Sequence, residues 1–296
     1  MLAQPFAAAL DALRTAPVGG YAPGGDDASE PTAYAAVALA AAGETDAART
    51  AAEWLADRQA PDGAVGVTAE EREPCWPTAL AMIAWDAVDP FAYANRIEAG
   101  ARWALAQRPW TIERDVVFGH DTTLEGWSWA PDTHSWLEPT SFFLVALRVA
   151  GKTDEPRYEQ AVRLIVDRLL PGGGVNYGNT TVFGQTLLQH LQPSGVVAWA
   201  LADEPSARET LGPTVDYLRT ASARPTGVAS LAWAARGLAA CDATDESLAA
   251  RLADAWPRVA ESGSHHKTAL FALAAQAVSA RLAPPVAATN AAEAVS

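Results

Sequence analysis

Residues 138–151 read EPTSFFLVALRVAG: an acid, a Pro and a Thr, then a run with almost no polar face. The same figure recurs as EPTAYAAVALAAAG (30–43), WPTALAMIAWDAV (76–88), QPSGVVAWALAD (192–203), RPTGVASLAWAARG (224–237) and HKTALFALAAQAV (266–278). The last keeps Thr268 but carries Lys267 where the Pro would stand. Pro suits the first helical position, whose N–H has no partner within the helix. The residue before Pro is pushed out of the helical region. Each X-Pro-(Thr/Ser) step is therefore expected to open a helix. A helix apolar on every side must be buried on every side, so these six are read as inner helices.

Amphipathic segments lie between them, at residues 6–16, 46–59, 96–108, 155–170, 207–221 and 246–260. Each has one apolar stripe and one charged face, as expected for a helix packed on one side only. The alternation predicts an all-α fold of six helical hairpins over residues 1–282. Closure into an α/α toroid, an (α/α)6 barrel, is favoured over an open solenoid, which needs polar terminal repeats. Gly-rich turns at 16–25, 59–66 and 169–178 are expected as left-handed helix caps. Residues 109–136 form a long insertion of the kind that often carries function. The Ala- and Pro-rich stretch 283–296 reads as a disordered tail.

Of 296 residues, 35 are Asp or Glu against 21 Lys or Arg, a formal net charge of -14. That excludes a basic footprint for nucleic acid and for anionic membranes. The longest uncharged apolar stretches, 31–43 and 268–280, are shorter than the roughly 20 residues a membrane span needs. The two cysteines, Cys75 and Cys241, build no disulfide framework, and the N-terminus has no basic region of a signal peptide. A cytoplasmic location is expected.

These features resemble the prenyltransferase and squalene-cyclase repeat family. The resemblance rests on the alternating hairpins, the Q-x-x-D-G turn at residues 59–63 and the (E/W)-P-T-(A/S) helix starts, and it runs to about residue 282. Residues 126–140 and 171–184 look like those of bacterial single-domain members. The resemblance implies a toroid whose cavity holds an apolar, isoprenoid-type substrate. The family's protonating acid motif, Asp-x-Asp-Asp or Asp-x-Asp-Thr-Thr, has its nearest match at 119–123, where Gly119 replaces the first Asp and Asp121 remains. Val65 stands where a tryptophan turn of the family would place Trp, and no Asp-x-Cys zinc pair occurs. No metal and no cofactor are expected.

In such a toroid the inner-helix N-termini gather at one rim, bringing Glu30, Trp76, Glu138, Gln192, Arg224 and His266 together. Their positive helix ends favour an anion. The densest chemical cluster is 126–138, with Trp127, Trp129 and Trp136 beside Asp132, His134 and Glu138. Aromatic walls stabilise carbocations, and a carboxylic acid kept neutral by an apolar pocket donates protons. Glu138, Asp132, Glu30 and Asp121 are the expected acid/base residues. Trp76, Trp127, Trp129, His134, Trp136, Asn176, Tyr177, Gln192 and His266 are the expected substrate-binding residues. Helix-start electrostatics and ordinary core packing would explain the same residues without chemistry. Two other functions fit the pattern: a non-catalytic binding or scaffold toroid, and a glycan-active (α/α)6 barrel using two carboxylates.

Overall fold

The computed structural model describes residues 1–282; the expected disordered tail at 283–296 lies outside them. The described chain is all-α apart from a two-residue antiparallel ribbon, Thr181–Val182 with Gln185–Thr186. The apolar runs become α2 (Ser29–Ala41), α4 (Pro77–Val88), α6 (Leu137–Val149), α8 (Leu191–Leu201), α11 (Val228–Ala240) and α13 (His265–Leu282). The amphipathic segments become α1 (Ala3–Thr15), α3 (Thr45–Ala56), α5 (Ala94–Ala106), α7 (Pro156–Asp167), α10 (Gly212–Ser222) and α12 (Glu246–Ser262).

The two series differ in burial as their patterns require. Every residue of α6 from Leu137 to Leu147 is buried. In α3 the buried set is Ala48, Ala51, Ala52, Leu55 and Ala56, one stripe at helical spacing. Within the apolar series α2 packs on α4, α4 on α6, α6 on α8, α8 on α11, α11 on α13, and α13 on α2. Among the described residues no helix is long and apolar enough to cross a membrane.

Three expectations need correction. First, the Pro does not open most of the apolar helices. In α2, α6 and α8 it is the third residue, after extended N-caps at Ala28, Trp136 and His190. Any position in the first turn tolerates Pro, because those N–H groups have no partner inside the helix. Only Pro77 of α4 opens its helix, and Pro225 lies before α11, whose N-cap is Gly227. Second, residues 207–221 are not one helix. A short turn α9 (Pro205–Arg208) and a 3₁₀ turn precede α10, in which Pro213 occupies the first turn. Third, α1, α3 and α7 end on Ala16, Asp57 and Arg168, none left-handed. A left-handed Gly cap is found instead at Gly263 after α12.

The repeated Thr/Ser has a structural job. Thr78 Oγ1 accepts the Val65 N–H at 2.8 Å, Thr140 Oγ1 the Trp127 N–H at 3.0 Å, and Ser194 Oγ the Val175 N–H at 2.9 Å. Each hydroxyl sits in its helix's first or second turn and anchors the incoming loop. A glycine precedes two of the three clamped residues and permits the close approach: a Cβ on Gly126 would lie 2.3 Å from Thr140 Oγ1, and one on Gly174 2.9 Å from Ser194 Oγ. The Q-x-x-D-G turn that follows α3 docks against α5. Gln59 Nε2 donates to the Gly63 and Arg96 carbonyls, and Gly63 adopts φ +103.

Candidate functional site

Placing Pro third puts the preceding residue inside the first helical turn. Glu30 of α2, Glu138 of α6 and Gln192 of α8 therefore project from helices rather than from their caps. Gln192 Nε2 donates to Glu138 Oε1 at 3.0 Å. The Glu138 side chain is buried, and this burial pushes its carboxyl up to about 7, with the Gln192 amide pulling the other way and the charge of Glu30 adding to the rise.

Glu30 faces the opposite balance. The Tyr21 hydroxyl donates to its Oε2 at 2.7 Å and the Tyr34 hydroxyl to its Oε1 at 2.9 Å. His266 Nε2 of α13 stands 3.6 Å from Oε1. Burial works to raise the Glu30 carboxyl, but the imidazole and the two hydroxyls outweigh it and hold it below the ordinary carboxylate value. Tyr21 and Tyr34 are pushed well up in return, by burial and by the Glu30 charge, and remain donors at any physiological pH. One carboxyl is thus pushed up towards neutral pH and the other held down, within electrostatic reach of each other.

Aromatic rings line the space beneath them. Trp76 meets Trp129 edge-on at 4.7 Å between centroids, and both contact Phe142, one turn below Glu138. Phe142 continues to Trp199 of α8 and Trp233 of α11, and Trp233 to Tyr34, one turn below Glu30. Arg236 lies over both Trp199 and Trp233, its guanidinium carbon 5.3 Å from each ring centroid. Trp76, Trp129, Trp199, Gln192 and Arg236 retain intermediate exposure although they come from the apolar helices or the loop packed on them.

The structure thus brings together Glu30, Glu138, Gln192 and His266, and it packs Trp76 and Trp129 on the ring below Glu138. It places the other expected residues apart from the two glutamates, although Trp127 and Asp132 line one cavity of ≈ 340 Å³ with Trp76 and Trp129. Asp132 is an exposed turn residue with φ +56. Asp121 caps its own turn by accepting from the Thr123 amide at 3.0 Å and hydroxyl at 2.6 Å, which lowers its carboxyl. Trp127 is a packing residue: it is buried, its Nε1–H donates to the Ala104 carbonyl at 3.0 Å, and it stacks on Phe143. His134 stacks on Trp136 at 4.6 Å and, with His120, Arg168 and Asn179, lines a separate cavity of ≈ 180 Å³ under the insertion. Burial lowers both imidazoles, His120 to about 4. Asn176 bridges loop backbone, donating to the Leu188 carbonyl and accepting from the Tyr177 N–H, and Tyr177 packs on His190. Arg224 is exposed.

Tyr21, Tyr34, Phe142, Trp199, Trp233 and Arg236 were missing from the sequence reading. Tyr34 and Phe142 follow Glu30 and Glu138 by four residues, so helical spacing alone places them one turn down on the same face. Trp199, Trp233 and Arg236 needed the helix register. Among the described residues no three His, Cys, Asp or Glu side chains gather as a metal site. A search against protein-family models gave no match, and a search of curated proteins gave none either.

Proposed function

We propose that the chain is an enzyme of the terpenoid-cyclase and prenyltransferase type of fold, moving a proton on an apolar, isoprenoid-type molecule within an α/α toroid. The cyclic order of contacts from α2 through α13 and back to α2 supports the closed ring. One observation carries the chemistry: a buried and a part-buried carboxyl in electrostatic contact, one pushed up to about 7 and the other held down, beside a wall of aromatic rings. Environments that push two acids apart assign the acid and the base. Glu138, still partly protonated at neutral pH, gives a proton. Glu30, ionised and oriented by Tyr21, Tyr34 and His266, takes one. A donor that ionises near 7 is matched to general acid catalysis at neutral pH. Proton gained at one position and lost at another balances the substrate, as in an isomerisation, and the enzyme is restored when Glu30 gives its proton to water and Glu138 takes one up again. Phe142, Trp199, Trp233, Trp76 and Trp129 would cover positive charge that develops on the substrate.

The test is incubation with isoprenoid alcohols and polyenes in D₂O, followed by extraction and mass spectrometry. Deuterium entering the substrate with wild type and at least about tenfold less with Glu138→Gln is the expected result. Absence of exchange with every substrate would contradict the assignment. A second reading has its own support: the rings touch one another, with Trp199 to Trp233 at 5.6 Å and Phe142 to Trp233 at 5.7 Å, as in a packed binding module. Apolar ligand retained in native mass spectrometry without any exchange would favour that reading.

A further inference from the structure

Arg236 sits deep in the molecule on α11, yet the structure gives its guanidinium no carboxylate and no hydrogen-bond partner. Its Nε is shielded from solvent and makes no hydrogen bond. Its contacts are the faces of Trp199 and Trp233, and the Tyr34 phenol, a neutral group at physiological pH, is the one titratable side chain that bears on it. Burial lowers its pKa only to about 10, so it stays charged at neutral pH. Dense protein surrounds it, but the side chain still keeps intermediate exposure. Those two properties together describe a side chain that lines an internal space.

A cation drawn in among helices without a partner is destabilising, whereas a hydrophobic side chain of like size would not be. A guanidinium with free donors recognises planar or tetrahedral oxyanions through paired hydrogen bonds. We infer that Arg236 is the receptor for an oxyanion head, carboxylate or phosphate, on the molecule that enters the aromatic space. The inference rests on the reading of that space as a ligand pocket. It adds polarity to it: the anionic end goes to Arg236 and the apolar body lies along Trp233, Trp199 and Phe142. The opposite end of the molecule then lies along Phe142, one turn below Glu138.

The experiment uses the full chain as wild type, Arg236→Met and Arg236→Lys, with circular dichroism to establish that each folds. Melting temperature is recorded in acetate, phosphate and diphosphate against chloride at matched ionic strength. At least one oxyanion is expected to raise the wild-type melting temperature, with little response in Arg236→Met and a partial one in Arg236→Lys. The anion that acts separates a carboxylate head from a phosphate head. Equal responses of wild type and Arg236→Met, or no response of wild type to any oxyanion, would overturn the inference. Tryptophan fluorescence titration with farnesol and farnesoic acid then tests the apolar body. Wild type is expected to favour the acid by about tenfold, a difference of about 1.4 kcal/mol, and Arg236→Met to lose that preference. Oxyanions acting through Arg236 while neither isoprenoid binds would sink the isoprenoid reading alone. Farnesol and the acid binding equally would sink the role of Arg236 and leave the pocket.

Discussion

Gln192 donates its amide N–H to Glu138 Oε1 at 3.0 Å, across the packed pair α8 and α6. This bond favours the ionised form of a carboxyl that burial otherwise keeps protonated. Glu138 is expected to titrate still higher in Gln192→Leu than in wild type, and pH titration of the ¹³C-labelled side chain reads the change directly.

The raised Glu138 value has a sign for stability. The folded carboxyl holds its proton up to about 7, whereas the unfolded one releases it near 4.5. Between those values the folded state binds more protons, so this group's contribution is fully present below 4.5 and is lost as pH rises through 7. Integrated over that window the loss is about 3 kcal/mol. Glu138→Gln is expected to remove this slope, seen as the difference between variant and wild-type urea unfolding from pH 4.5 to 8.

His265 slopes the other way. Burial lowers its imidazole to about 4; the ring lies against Gly19 and its Nε2 makes no hydrogen bond. The unfolded chain takes up this proton near 6.5, so the contribution is present above 6.5 and is lost as pH falls towards 4. His265→Gln is expected to flatten the acid limb of the stability profile.

How far the sequence carried this far depends on which residues face which neighbours. The apolar runs around Phe142–Phe143 and Ala35–Leu39 marked buried helices because no polar face interrupts them. The repeated Thr was visible as a pattern, but its partners Val65, Trp127 and Val175 lie 13 to 19 residues upstream in loops with no period. Glu30, Glu138, Gln192 and His266 could be read because each stands at the same step of the repeat. Trp127 misled, since three tryptophans in one loop look alike in sequence, while burial against Ala104 and Phe143 makes this one a plug. Arg236 was hidden because one cation in an apolar helix looks like a surface residue until the register turns it inward.

The hydroxyl clamps should be costly to remove. Thr140→Val leaves the buried Trp127 N–H without its acceptor at an otherwise unchanged shape. A loss of about 1–3 kcal/mol in denaturant unfolding is expected, with no change in the Glu138 titration.

Gly63 tests the docking of the Q-x-x-D-G turn on α5. It adopts φ +103, and a Cβ there would stand 2.2 Å from the Ala99 carbonyl oxygen. Gly63→Ala is expected to destabilise by about 2 kcal/mol or more, since backbone strain and a backbone clash combine. Calorimetry of the variant measures it.

The most direct measurement is the pair of carboxyl titrations in protein labelled with ¹³C at the glutamate side chains, assigned with Glu138→Gln and Glu30→Gln. The expected result is Glu138 ionising near 7 and Glu30 below the ordinary 4.5, the two curves well separated. Two curves together at the ordinary glutamate value would contradict the acid and base assignment on which the proposed chemistry stands.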